Sequence, residues 1–442
     1  MESSSLEQRL NDFSRPTRDS SLKQLAKLKG SAVCPADGSH KAVNSHCHTF
    51  FSYNGYGMSP SAIAWWAAKE SLFAAAIVDF DVLDGVEEFL AASELLGLRS
   101  GAGMETRVFI PELADQEINS PGEPGVAYHE GVGFVSASVP STLKDFAARL
   151  RSGAAERTRA IVGRVNAYLA PVSVDFDKDV LPLTPGGNAT ERHVCAAYDN
   201  KARQVFADQA ALEAFWAAKL AVPADKAAKL VADPVELRNT IRSKTMKSGG
   251  LGYVKPDPKS FPTLKEMNDF SLGCGAIPTL AWLNGESAGE NAVDALFDLH
   301  ASFGMAAVNI IPDRNHNFSD PKVREKKIAE MNRFIAAAHK RDLPILAGTE
   351  MNAPGQRLLD DFASAALKPH LAAFIDGAAL QHAHTLLAPA GMGYVSDWAK
   401  AAFKTLKKRN QFFVAVGKKA TWSLKAKLAG KQTPEAVLNL LG

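Results

Sequence analysis

The chain has little of what would mark a secreted, membrane-spanning or nucleic-acid-binding protein. Its four cysteines, Cys34, Cys47, Cys195 and Cys274, are scattered without CxxC spacing, which argues against a disulfide scaffold or a thiolate zinc knuckle. No basic-then-apolar leader opens the sequence, and its most apolar stretches, such as LFAAAIV from Leu72, fall far short of a bilayer span. A reducing, cytoplasmic setting without a membrane partner is the simplest expectation. Charge of one sign is also missing. The formal net charge of +2 gives no reason to expect a nucleic-acid partner, and a bound phosphate has to be argued from particular residues. A GxGxxG turn after the first strand, a GxxxxGK[ST] loop, an HExxH helix and a GxSxG elbow are all absent.

What remains is an ordinary globular composition, 46% apolar and 22% charged, over 442 residues. That is long enough for more than one folding unit. Residues 1–40 read as a polar N-terminal arm. From 41 to 140 short apolar runs alternate with helical patterns. AVNSHCH ends a first strand, and SPSAIAWWAAKES is a helix capped by Ser59 with Pro60 at its first position. FAAAIVDFD is a second strand, GVEEFLAASELLG a helix, and GAGMETRVF and GVAYHEGVGFV follow. The rhythm is βαβ, which favours a parallel sheet covered by helices. Residues 141–247 carry helical spacing without strand-like runs and read as an all-helical insertion. Strand–helix alternation resumes over 248–353 with GCGAIPTLAWL, GMAAVNIIPDRN and DLPILAGTEMN, and 354–442 is mainly helical. GGLGYVKPDP is glycine-rich without phosphate-loop spacing and reads as a loop over the pocket. Trp65 and Trp66 read as packing residues.

Several of these strands end in residues that bind metals. His46 and His48 lie two apart, so an extended chain turns both imidazoles to one face. Asp79 and Asp81 repeat that spacing, Glu105 follows GAGM, His129 lies in GVAYHEG, and Glu350 follows PILAGT. In a parallel barrel such ends converge at one mouth, and imidazole with carboxylate suits zinc, manganese or iron(II). His382 and His384, also two apart, lie in a helical pattern where they cannot share a face. Arg314 and His316 follow the VNII strand in a polar loop, and with Arg107 they are candidates for substrate contact.

NSHCHT, IVDFDVLDG, GAGMET and GTEMN together resemble the motifs of the polymerase and histidinol phosphatase (PHP) superfamily. The resemblance covers roughly 41–135 and 248–353. It implies an α/β fold, a distorted TIM-like (β/α)7 barrel carrying the helical insertion and the helical C-terminal region. It also implies a metal held by His46, His48, Glu105 and Glu350, with Asp79 as the motif acid and His129 toward a second ion. Phe80 stands where the second motif has histidine, and Tyr53 near the residue that follows the first motif. Asn352 stands in place of the final histidine, and Ile311 precedes Pro312 where histidine is usual. These side chains cannot replace imidazole, so one firmly bound divalent transition metal is expected and any second ion is weak.

The leading expectation is a metal-dependent hydrolase, a phosphoesterase using a metal-activated water. Asp79 and His129 would do proton work, and Arg107, Arg314 and His316 would hold a small, phosphorylated substrate. Two alternatives stay open: a single-metal lyase or isomerase of a sugar-like or carboxylate substrate, and a non-catalytic binding or regulatory domain with a vestigial metal pocket. An open cleft would favour catalysis, and a pocket packed shut around Phe80 and Ile311 would favour the last reading. The sequence leaves the oligomeric state unspecified.

Overall fold

A computed structural model describes residues 2–29, 42–247, 249–255, 257–428 and 430–441, without the side chains of Glu2, Lys29 and Pro258. Cys34 and Pro256 therefore lie outside the described residues. Seven strands form one sheet in chain order: β1 (Val43–Cys47), β2 (Ala74–Phe80), β3 (Arg99–Phe109), β4 (Val126–Val132), β5 (Ile277–Trp282), β6 (Ala307–Ile310) and β7 (Ile345–Ala347). A parallel bridge between Cys47 and Glu350 joins the two edges. The backbone confirms it: Glu350 N–H donates to the His46 carbonyl at 2.9 Å and His48 N–H to the Glu350 carbonyl at 2.7 Å. The result is a distorted TIM-like α/β barrel. Its distortion is local, because β4 runs antiparallel to both β3 and β5 while the other neighbours are parallel. The sequence reading made β4 parallel, and that expectation is corrected here.

Local chemistry accounts for the helices. The helix Pro60–Lys69 starts where expected, with the Ser59 side chain accepting from Ala62 N–H and Pro60 in the first turn. Gly97, at φ 70°, ends the helix Val86–Leu96 in the left-handed conformation that glycine adopts freely. Trp65 is buried and its indole N–H donates to Glu7. In place of a polar arm, the helices Glu2–Arg9 and Arg15–Lys29 and the turn between them bury Leu6, Leu10, Leu22 and Leu25 against the barrel. The Arg18 guanidinium there donates twice to buried Glu88.

Between β4 and β5 the described residues contain no strand. Five α-helices from Lys144 to Thr245 pack around a separate apolar cluster that includes Val165, Tyr198, Trp216 and Ile241. The helix Leu371–Leu387 lies against the other side of the barrel. Its His382 Nδ1 accepts from Ser100 N–H, and its His384 ring bonds the Gly133 carbonyl and Tyr394 N–H. Both histidines are thus buried structural ties, apart from the HxH of β1.

Candidate metal centre

Strand alternation brings His46 of β1 and His48, just past its end, to the inside of the barrel, and β3 sets Glu105 opposite them. The Nε2 atoms of the two histidines are 3.2 Å apart, and Glu105 Oε2 is 3.1 Å from His48 Nε2 and 3.5 Å from His46 Nε2. All three side chains are buried. Donors bound at 2.0–2.1 Å around a tetrahedral ion stand about 3.3 Å from one another. The triangle formed by these three atoms has that size, so the residues fit a divalent ion.

Each imidazole is also backed by a carboxylate on its far side. His46 Nδ1 is 3.2 Å from Glu130 Oε1, with Asn309 Oδ1 at 3.4 Å. His48 Nδ1 is 3.1 Å from Ser52 Oγ, and that hydroxyl donates to Asp79 Oδ1 at 2.6 Å. Carboxylates behind ligand histidines fix the tautomer and ring orientation and make the free nitrogen a better donor. Titration follows the same geometry. Burial disfavours the charged form of His46, yet Glu130 and Glu105 outweigh it and hold its pKa well above the ordinary value. Burial opposes ionisation of Glu105 too, but hydrogen bonds from His46 and His48 prevail and keep its carboxyl well below the usual range. Burial pushes Glu130 up, against the pull of His46. Negative charge packed around two imidazoles is what a cation site requires.

The expected site residues distribute unevenly. Asp79 does not line the cavity; it accepts from Thr49 N–H, Thr49 Oγ1 and Ser52 Oγ, so its position is behind His48. His129 is a correction. Its ring is turned out of the barrel to Asn268 Oδ1 at 2.6 Å and lies near His300, and burial drops its pKa to about 4. Glu350 reaches the mouth, but its carboxylate accepts from Arg314 at 2.5 Å and Gln356 at 3.0 Å and does not converge with the three donors. Glu350 and Met351 hold φ of 63° and 58°, a left-handed pair that costs side-chain-bearing residues free energy and turns this carboxylate toward Arg314. His316 lies outside the cavity, beside Asp313 and Asp360. Phe80, which replaces the motif histidine, packs its ring 4.2 Å from that of His48.

Through His46 and Glu105 the triangle meets a cavity of about 570 Å³ lined also by Phe80, Ile311, Arg107 and Arg314. Arg107 is fixed by Glu123 at 2.9 Å and lies over the Phe261 ring. The opposite wall comes from the helical insertion, which sequence reasoning did not assign to the site. Arg192, Arg242 and Lys247 line it, with Glu191. Arg242 and Lys247 share one oxygen of Glu191, at 2.8 and 2.9 Å, while Arg192 donates to neutral Asn239. With Arg157 of the same insertion, which faces Asp81 of the barrel at 3.8 Å, the wall carries four cations against one carboxylate of its own and is locally positive. Tyr253, from the glycine-rich loop, also lines the cavity. Among the described residues, no helix is long and apolar enough to cross a membrane.

Among solved structures the chain is similar to an amidohydrolase from Chromobacterium violaceum, determined with bound sulfate and no metal. The TM-score is 0.50 at 17% identity, over 75% of this chain and 96% of that one. A protein from Bifidobacterium adolescentis, provisionally described as a metal-dependent phosphoesterase, aligns over the same shares at 20% identity with a TM-score of 0.47. No family model matches the chain, and no curated protein matches it by sequence. At these identities the first likeness shows a shared fold, the barrel on which the His46, His48 and Glu105 cluster is built.

Proposed function

We propose that the chain is a metal-dependent hydrolase of a small phosphorylated molecule, a phosphoesterase. One observation carries this reading: the His46, His48 and Glu105 triangle meets, through His46 and Glu105, the same cavity as a wall with surplus positive charge. A divalent ion held by the triangle, with zinc, manganese and iron(II) all suited to its donors, would supply Lewis acidity and lower the pKa of water. In the hydrolysis, a water oxygen adds to phosphorus, the ester P–O bond breaks, and the departing oxygen takes a proton. The chain's own residues orient the partners. The Asn309 oxygen and the Glu130 charge beside His46 Nδ1, and the Ser52–Asp79 pair beside His48 Nδ1, favour the tautomers with Nε2 directed inward. Arg314, braced by Glu350, and Arg107, braced by Glu123, present guanidinium groups to anionic oxygens. The cavity is open and of small-molecule size, which supports catalysis over a vestigial pocket packed shut by Phe80 and Ile311.

The test is phosphate release from a panel of phosphate mono- and diesters by purified protein supplied with Zn²⁺, Mn²⁺ or Fe²⁺. Saturable release that His48→Ala abolishes is the expected result. Hydrolysis of amides or lactones instead would overturn the phosphoester assignment and keep the hydrolase. A metal-loaded protein that cleaves none of these would overturn both.

A further inference from the structure

A second group of ligand-type side chains lies outside the cavity, and the proposed function makes no use of it. Asp313 and His316 belong to a one-turn helix just after β6, three residues apart and therefore on one face. Asp360 comes from the segment after β7. One donor atom from each of the three falls within 4.8 Å of the other two.

The group is poorly satisfied without a ligand. Asp360 is only 4% exposed, and neither of its carboxylate oxygens has a hydrogen-bond partner of normal geometry; the Asp313 backbone N–H makes only a weak contact. Asp313 Oδ1 and His316 Nε2 are likewise buried without hydrogen bonds. Arg357 Nε approaches Asp313 Oδ1 at 3.3 Å, which offsets one of the two negative charges and leaves the other. A buried, unpaired carboxylate is strongly disfavoured unless it is neutralised. A single proton on Asp360 would remove the charge but leave the His316 nitrogen and the remaining oxygens unpartnered. One cation satisfies all three residues together.

We propose that Asp313, His316 and Asp360 form a second, structural site for a divalent transition cation. Two carboxylates and one imidazole suit Mn²⁺ or Zn²⁺, and they are too few oxygens for a Ca²⁺ cage. Its role follows from what its ligands carry. Arg314 is next to Asp313 in sequence, and Glu350 and Gln356 precede Asp360 on the segment after β7. The three form the contact set at the cavity mouth, with Arg314 and Gln356 both donating to Glu350. A cation at the second site pins these two segments together from behind.

The experiment uses the full chain carrying His46→Ala and His48→Ala, which silences the first site. After chelator treatment, Mn²⁺ and Zn²⁺ are titrated in separate calorimetric runs, with folding followed by circular dichroism. One equivalent of either ion per chain and a rise in melting temperature are expected. Adding Asp360→Asn should weaken binding at least 100-fold and abolish the rise. His316→Gln, at a half-buried position that tolerates change, should weaken it at least 10-fold and covers the case in which Asp360→Asn fails to fold. Absence of binding by both ions, or the same affinity after His316→Gln and a folded Asp360→Asn, would overturn the second site. None of these readouts depends on hydrolysis, so the result stands apart from the assigned reaction.

Discussion

Glu105 of β3 and Glu130 of β4 are direct partners across the antiparallel pair. Residues directly opposite in such a pair project to the same face, so both carboxylates enter the barrel, one onto the inner nitrogens of the histidines and one behind His46. His129, one residue earlier, pairs with Thr106 and is turned outward. Glu130→Gln should keep the fold but lower affinity for Zn²⁺ by 10- to 100-fold, the usual loss when the carboxylate behind a ligand histidine is removed. His129→Ala should leave Zn²⁺ affinity unchanged and cost about 1–3 kcal/mol of stability through the lost bond to Asn268. Chelator competition and urea unfolding of the two variants check this. Equal Zn²⁺ affinities for Glu130→Gln and the wild type would remove Glu130 from the centre.

Gly348 gives a second prediction. An added Cβ would sit 2.3 Å from His46 N and 2.6 Å from the Asn44 side-chain oxygen, both held in the buried seam between β1 and the segment after β7. Neither can retreat without moving His46. Gly348→Ala should therefore cost about 1–3 kcal/mol by overpacking, and it should weaken metal binding as well. A melting temperature within a degree of wild type would show that the seam is softer than these distances imply.

Much of the barrel was legible because periodicity reports burial. The period-two HCH at the end of β1, the Ser59–Pro60 helix start and the helical spacing from Lys144 to Thr245 all belong to elements whose faces are set by core contacts. His129 was misread because adjacent residues of a strand point opposite ways, and YHEG offers an ionisable side chain to each face. The strand direction could have warned of it. The segment from Ile110 to Gly125 is rich in Pro, Gly and acidic residues and forms only one short helical turn, whereas a parallel crossover usually runs through an α-helix. The positive wall had no comparable signal. Arg192 and Arg242 are far apart in sequence, on helices whose packing alone brings them to the cavity.

Several buried histidines set the response to acid. Burial holds His129, His193 and His384 at about 4 and His382 at about 3, and it holds His300 well below its ordinary value. In the unfolded chain each takes up a proton near pH 6.5. The unfolded state thus binds more protons than the folded state between about pH 6.5 and 4, so stability falls as pH falls through that window. Each such histidine withholds on the order of 3 kcal/mol by pH 4. The melting temperature should drop steeply from pH 6.5 to 4.5, and His384→Gln should flatten the slope although it lowers stability at neutral pH. A melting temperature independent of pH over this range would contradict the buried neutral assignment.

Arg192 supplies the sharpest test of how substrate is held. Its guanidinium lines the cavity, lies 5.8 Å from the centre of the Tyr53 ring and donates to Asn239. Glu191, the acidic residue beside it, is already shared by Arg242 and Lys247. Burial, and then the nearby positive charge of Arg242, disfavour its charged form, so an incoming anion relieves a real electrostatic cost. The residue belongs to the insertion, apart from the metal triangle, and under the proposed function it would bind the part of the substrate remote from the scissile bond. Uniform binding of that kind lowers KM without changing kcat. Arg192→Ala should raise KM for a phosphorylated substrate at least 10-fold, leave kcat within about twofold, and leave metal content unchanged. The KM penalty should shrink as salt rises, since screening weakens the same attraction in the parent protein. Arg192→Lys should recover part of the loss by restoring charge without the planar fork. A fall in kcat at constant KM would place Arg192 at the reacting phosphate, and an unchanged KM would mean that the insertion wall does not bind the substrate.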